Sequence, residues 1–444
     1  MNRRTMIRQS AIATAASGIA MPEIHAFGNA TLPEPGKKIR VAALCSTYHY
    51  LSHAYHIVGR FLDGFALYDA QDTLHKPSDN FEISSIYIEQ MPPETDLGKG
   101  IAKKRGVPQF DSIEKALCLG GDQLAVDAVL VIAEHGKYPI NQKYQTLYPR
   151  YEYIKQVVDV FKKSGRSVPV FNDKHLSYDR KKASEIMRWS RELKFPLMAG
   201  SSLPITWRHP EIEIPLDSQI EDVIVLSRGE IEIFGFHALE TLQAFVERRN
   251  LGGKPQGVKA VTCLMGEDVW KAADAGRWSM DLLLTAARRS HSRNAGSPQQ
   301  CCSEFSPPPN RPTFLKVPIY FEVEYTDGFI GKVVVANGYV DDTSIAIRLK
   351  GQNQNPSVVS TNVYLPAPPG ANFFNPLVLR IEDFFKSGKS PYPAERTQLT
   401  GGILDALLDS RLSGGKRIET PDLASIQYQA PMDSGYIRTP WPAK

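Results

Sequence analysis

The chain has 444 residues and is short of several things. It has five cysteines, an odd and small number, which excludes a disulfide framework. It has little net charge. Fifty-two Lys and Arg against 48 Asp and Glu give +4, and nothing in that balance marks a nucleic-acid binder. It lacks a membrane-length apolar run near its start, where Ala11 to Met21 is too short to span a ~30 Å hydrocarbon core. What remains is ordinary. Hydrophobic residues are 42% and charged residues 23%, which argues against a wholly disordered, collagen-like or multi-span membrane chain. At roughly 150 residues per domain, the length suggests two or three domains.

The start reads as an export signal. Arg3 and Arg4 are followed by Thr5, the apolar pair Met6-Ile7, basic Arg8, and then the mild apolar stretch. A charged n-region before a short apolar run is the signal-peptide pattern, and the paired arginines resemble a twin-arginine signal. Ile24-His25-Ala26 is a passable cleavage site. Residues 1–30 are therefore expected to be a leader that engages the twin-arginine export machinery and sends the protein to the periplasm or another extracytoplasmic space. That route carries folded proteins, which can take a bound cofactor along.

From Lys37 the pattern alternates. Lys37–Ser46 is a basic, then β-branched first strand, and Tyr48–Tyr68 is apolar at helical spacing. Phe81–Glu89 is a second strand. Val126–Ala133 is nearly all apolar, as a strand covered on both faces requires. Helices at Tyr148–Ser164 and Tyr178–Lys194 flank strands at Val168–Phe171 and Pro196–Ala199. Strands alternating with helices predict a doubly wound, Rossmann-like parallel sheet over residues 36–200. Ligands in such sheets bind at the carboxyl ends of the strands. After Ser201 the alternation breaks down, and residues 201–415 read as an α+β domain with an open, mainly antiparallel sheet. Residues 291–312 read as an exposed Pro-rich loop that includes Cys301-Cys302. Thr326-Asp327-Gly328 marks a hairpin, and residues 416–444 read as an extended tail.

Three passages carry a resemblance. Asn172-Asp173-Lys174-His175-Leu176 follows a strand, Gly235-Phe236-His237-Ala238-Leu239-Glu240 lies in an apolar helix, and Ile381-Glu382-Asp383-Phe384 leads through Glu395-Arg396 to Gly401-Gly402-Ile403-Leu404-Asp405-Ala406. Together they resemble the glucose–fructose oxidoreductase and inositol dehydrogenase family of NAD(P)-dependent sugar enzymes. They match its Glu-Lys-Pro loop, its Gly-x-His-x-x-Asp helix and its C-terminal helix, here 397–415, which returns to the nucleotide domain. The resemblance runs from about Lys37 to about Tyr428. It implies NAD or NADP as cofactor and a carbohydrate substrate. It also implies a homo-oligomer formed through the outer face of the C-terminal sheet.

The sequence departs from that family at one loop. Its Gly-x-Gly-x-x-Gly falls on Cys45, Thr47 and Tyr50, so no glycine stands there in a chain with 32. Those glycines allow the tight turn and the close approach of pyrophosphate to the backbone. Either the loop takes another path, with Ser46, Thr47 and Tyr48 donating hydroxyls to the nucleotide, or dinucleotide binding is lost. Glu89, at the end of the second strand, stands where the family's ribose-binding acid would be and favours NAD over NADP.

Lys174 and His237 are the expected catalytic pair. A lysine with a lowered pKa can accept or guide a hydroxyl proton, and a histidine titrates near neutrality. Glu134 and His135, after the most apolar strand, and Asp173, beside Lys174, are expected at the cofactor. Glu240 lies three residues beyond His237 and shares its face. Glu240, Trp207, Arg208 and Arg277 are the expected sugar contacts. His49, His53 and His56 share one helical face, but the family position of His53 explains them without a metal, and none is expected. Two functions follow. One is an exported oxidoreductase acting on a sugar or polyol hydroxyl with a tightly held nicotinamide, including transient oxidation in glycoside cleavage. The other is a non-redox carbohydrate-binding protein on the same scaffold that has lost the nucleotide.

Overall fold

A strand that is apolar on both faces needs cover on both. The computed structural model gives Ala128–Ile132 that cover, and every residue of the strand is buried. The structure describes residues 36–439, apart from 70, 72, 310, 312, 352–356 and 367–369, so the expected export leader, residues 1–30, lies outside the described residues. The first sheet holds β1 (Ile39–Thr47), β2 (Phe81–Gln90), β3 (Gln109–Phe110), β4 (Ala128–Ile132), β5 (Val170–Asp173) and β6 (Leu197–Gly200). It is parallel throughout, in the order β3-β2-β1-β4-β5-β6. The order reverses between β1 and β4, and the crevice outside their carboxyl ends is the ligand position of this fold.

The helices that matter below are α1 (His53–Asp63), α2 (Arg150–Ser164), α3 (Arg180–Glu192), α4 (Ile233–Val246), α5 (Phe374–Ser387) and α6 (Ala394–Leu412). Helix α1 starts where Ser52 accepts a hydrogen bond from the Tyr55 amide, and it stops at Gly64, whose φ of 77° an L-residue resists. It is shorter than the expected Tyr48–Tyr68 because Tyr48–Leu51 turns first, with Leu51 left-handed at φ 64°. Ile57, Val58 and Phe61 pack under one face of the sheet. Phe374, Val378 and Ile381 of α5 share that cluster, so a late segment of the chain covers the first domain. Helices α2 and α3 cover the other face.

The second sheet has eight strands. Its main members are β7 (Ile220–Ser227), β8 (Val258–Met265), β9 (Ile319–Tyr325), β10 (Ile330–Val335), β11 (Thr343–Leu349) and β12 (Ser357–Val363). All pairings are antiparallel except β7 with β10. One face packs on α4 and α6. The other is covered by the chain's own helices Glu267–Asp274 and Met280–Ala287, through Trp270, Trp278 and Leu283. The apolar side chains of that face are buried by the chain's own helices. The Pro-rich stretch likewise contains a helix, Pro298–Glu304. Cys301 and Cys302 are buried in it rather than exposed, because they pack against Trp278 and Tyr339.

Helix α6 ties the two sheets together. Arg396 pairs with Glu247 with both side chains buried, and the Thr397 hydroxyl donates to the Ala199 carbonyl at 2.8 Å. The tail is held as well. The Tyr428 hydroxyl bonds Glu247, and Arg248 donates to the carbonyls of Pro431 and Met432.

Candidate active site

The carboxyl ends of β1, β4, β5 and β6 bring one ring of polar side chains together. Glu134, just past β4, is 2% exposed. It accepts from Lys174 Nζ at 2.6 Å and from the buried Arg150 guanidinium. Burial alone would push its carboxyl up, but Lys174 and Arg150 beside it hold it well below the usual carboxylate range. Lys174 follows β5 and is 4% exposed. Its backbone exchanges hydrogen bonds with Gly200 at 3.1 and 3.0 Å, which fixes the loop. Asp173 accepts from His53 Nδ1 at 2.6 Å across the cleft. The His53 ring then meets the His135 ring edge-on at 5.1 Å, and His135 adjoins Glu134. The ring of residues therefore closes as His53, Asp173, Lys174, Glu134 and His135.

His237 on α4 faces this ring. Burial pushes its imidazole well below its ordinary value, and the nearby charges of Lys174 and His53 push the same way. Its Nδ1 has no partner, and neither do Nε and Nη1 of Arg150. Buried polar atoms are nearly always paired, so these three nitrogens beside the ring stand out as available donors or acceptors. The backbone is strained here too. Leu51, His135 and Lys174 are non-glycine residues at φ 64°, 68° and 62°. Such positions cost about 1–3 kcal/mol each and persist where the surroundings impose them.

The nucleotide end of the crevice differs. Strand β1 runs on to Thr47, which pairs with Gln90, so Cys45 and Thr47 are strand residues rather than loop. The Ser46 hydroxyl donates to the carbonyls of Glu134 and His135. The Tyr48 side chain is buried, and its carbonyl takes the Leu97 amide. The His53 amide, at the start of α1, points at His135 Nδ1, 3.4 Å away. Burial, with His53 nearby, pushes the His135 imidazole down to about 3, so it is a neutral acceptor there. From the loop after β4, the Lys137 amide donates to Gln90 Oε1 at 2.8 Å, Gln90 Nε2 returns a bond to the Lys137 carbonyl, and the Tyr138 hydroxyl bonds Glu89. Glu89 also accepts from Tyr153 at 2.9 Å. The loop thus bridges β4 to β2 across the end of β1.

That bridge lies where this fold holds a pyrophosphate, on the first helix's amides. The Ser46 hydroxyl is spent on the carbonyls of Glu134 and His135, the His53 amide on His135 Nδ1, and the Tyr138 hydroxyl on Glu89. In this arrangement the residues do not fit a dinucleotide.

The expected sugar contacts lie elsewhere. Trp207 is buried and donates its indole N–H to the Thr439 carbonyl. The Arg208 guanidinium is sandwiched between the rings of Phe245 and Tyr436, at 4.3 and 4.2 Å, and donates to the Ile212 carbonyl. Arg277 is exposed and doubly bonded to Glu322 on β9. Glu240 turns away from His237, accepting from the Ser201 amide and the Thr400 hydroxyl. All four are corrected to structural positions: hydrogen bonds or ring contacts within the fold hold each of them, although Arg208 Nη2 has no hydrogen-bond partner among the described residues. The three histidines at and before α1 also part company. His56 stacks on Phe374 and His49 Nδ1 bonds the Tyr50 carbonyl, and among the described residues no group of three His, Cys, Asp or Glu is placed to hold a metal.

Sequence reasoning missed Arg150 and gave His53 no chemical role. One signal was available for the first. A cation in the first turn of a helix opposes the helix dipole, so an arginine there needs a buried anion to justify it.

No protein-family model and no curated protein matches this chain. Solved structures do match it. GenD2 from gentamicin A biosynthesis, in complex with NAD, is 12% identical, with a TM-score of 0.52 over 88% of this chain and 98% of its own. The WlbA dehydrogenase from Chromobacterium violaceum, in complex with NADH and UDP-GlcNAcA, is 11% identical, with a TM-score of 0.52 and the same coverage. This chain has the fold of these oxidoreductases. An oxidoreductase from Agrobacterium radiobacter, in complex with NAD+, L-tartaric acid and magnesium, is 13% identical with a TM-score of 0.50 over 86% of this chain. The resemblance drawn from the sequence therefore holds at the level of the oxidoreductase fold.

Proposed function

We propose that this protein acts on a sugar or polyol by acid–base chemistry at the ring around Glu134, without a dinucleotide in the crevice. The observation that carries this is the contrast between a bridged nucleotide end and a chemical end with unpaired polar nitrogens. Lys174 can hold a substrate oxygen, because its ammonium keeps donors beyond the one given to Glu134. His237 and Arg150 add donors or acceptors for further hydroxyls. Sugars suit such a site because they present alternating donors and acceptors and carry no net charge.

Nicotinamide-dependent oxidation of the same hydroxyl is the second reading. It is favoured by the fold shared with proteins solved with NAD and NADH, and by the retained Lys174 and His237. Choosing between NAD and NADP belongs to that reading, as does transient oxidation in glycoside cleavage. Export is part of the proposal and rests on Arg3, Arg4 and the short apolar run. N-terminal sequencing of the mature protein near Ala26 tests it.

One preparation separates the readings. The folded full chain is denatured and the supernatant assayed for nicotinamide nucleotide, and a second sample is titrated with NAD(H) and NADP(H). The expected result is no stoichiometric nucleotide and no titration. Stoichiometric nucleotide would replace the first reading with the second.

A further inference from the structure

We infer that His53, aimed by Asp173, is the proton acceptor for a redox-neutral reaction at a carbon next to the carbonyl of a sugar. This rests on the reading of the site given above and names its substrate class, keto-sugars that enolise. The pair has the form of a base and its orienting group. The Asp173 carboxylate, 1% exposed at its side chain, accepts from His53 Nδ1 at 2.6 Å, which puts the ring proton on Nδ1 and leaves a lone pair on Nε2. Nε2 makes no hydrogen bond to any described residue, while the side chain keeps 17% of its surface. A histidine serving only the core would bury or bond that nitrogen. Phe374 and His135 wall the ring at 5.0 and 5.1 Å, edge-on, and restrain its rotation.

The neighbours supply the complementary part. Lys174 follows Asp173 directly in the chain and holds its ammonium on Glu134 at 2.6 Å, so a cation lies within the same ring of side chains as the base. The step then balances without a cofactor. His53 Nε2 takes the proton from the carbon beside the carbonyl. The C–H electron pair becomes the new C=C bond, and the carbonyl π pair moves onto oxygen, where the Lys174 ammonium donates a hydrogen bond. Return of the proton from Nε2 to the same face of the same carbon restores the sugar, and in D2O it leaves deuterium there. No electrons leave the substrate, so a bridged nucleotide crevice costs this reaction nothing.

The test uses the full chain, shown nucleotide-free, in D2O with D-fructose, L-sorbose, D-tagatose and 3-keto-glucose. Proton NMR follows loss of the C–H signal beside the carbonyl, and saturation-transfer difference spectra on the same tubes report binding. The expected result is exchange above the buffer rate for at least one sugar. His53→Gln should lower that rate by about 100-fold or more, the usual worth of a general base. Asp173→Asn should lower it too, while the imidazole nitrogen shifts report a proton moved to Nε2. Asp173→Glu should recover part of the rate and the original tautomer, which a purely structural role would not do. Binding without exchange for every sugar, or exchange untouched by His53→Gln, overturns the inference while leaving the site reading in place. Absence of any binding removes the site reading itself.

Discussion

Two ends of one crevice are built on opposite plans. At the β1–β2 end, Ser46, Glu89, Gln90, Tyr138 and the His53 amide bond to one another or to nearby backbone. At the β5–β6 end, Arg150, His175, Ser201 and His237 each keep a buried polar atom with no partner. The same fold therefore spends its polar groups internally where a phosphate would lie and leaves them open where chemistry would occur. A closed end is stable by itself. An open end carries a cost in unpaired groups, and such costs mark functional sites.

The largest expected effect is at the open end. Glu134→Ala leaves both Arg150 and Lys174 buried without their anion and should lower the unfolding free energy by about 3–5 kcal/mol, measured by urea denaturation. Lys174→Met leaves Glu134 its Arg150 partner and should cost clearly less. If the two variants are equal, Arg150 is not sharing the load.

Next comes the hinge of the Lys174 loop. Gly200 has φ 128°, and a Cβ there would lie 2.8 Å from Glu240 Oε2. Gly200→Ala should cost about 1–3 kcal/mol or more and should weaken sugar binding, since Gly200 fixes the Lys174 backbone. Unchanged stability would show that the loop does not depend on that contact.

The closed end should respond to pH. Unfolded, His135 takes its proton near its ordinary 6.5; folded, burial beside His53 delays it to about 3. The unfolded state then binds more protons in that window. The contribution is fully present above about 6.5 and is lost as pH falls toward 3. His135→Asn should flatten the acid limb of the stability curve by about one proton. An unchanged slope would place His135 in water.

The smallest effect is expected for Tyr138→Phe, which removes one partly exposed bond to Glu89 and should cost about 0.5–1.5 kcal/mol. It should gain no affinity for NAD, because the Ser46 hydroxyl and the His53 amide stay engaged by the loop after β4. Gained affinity would mean that the clasp alone keeps a nucleotide out.

The alternation of strands and helices was legible because each element's burial is written in its own spacing. Val126–Ala133 had to be a doubly covered strand, and it is one, trimmed to Ala128–Ile132. Glu134, His135, Lys174 and His237 were legible as a group, since ionisable residues stood at the ends of strands and early in an apolar helix. Their roles were not. Glu134 reads in sequence as a cofactor contact, but Lys174 and Arg150, 40 and 16 residues away, make it the hub of a buried ion network. Trp207, Arg208, Glu240 and Arg277 had the right chemistry and the wrong neighbours.

Sequence alone determined the layer architecture, because hydrophobic period and turn residues are local properties. It also determined that the first loop lacked glycine, and it left two outcomes open. Only the tertiary structure shows which groups meet across that loop. Whether a phosphate can approach depends on what lies across the gap, and there the end of β2 meets Lys137 and Tyr138 of the loop after β4, 47 and 49 residues from their partners Gln90 and Glu89. The pairing of His53 with Asp173, 120 residues apart, is likewise a fact of strand order, which no local pattern encodes.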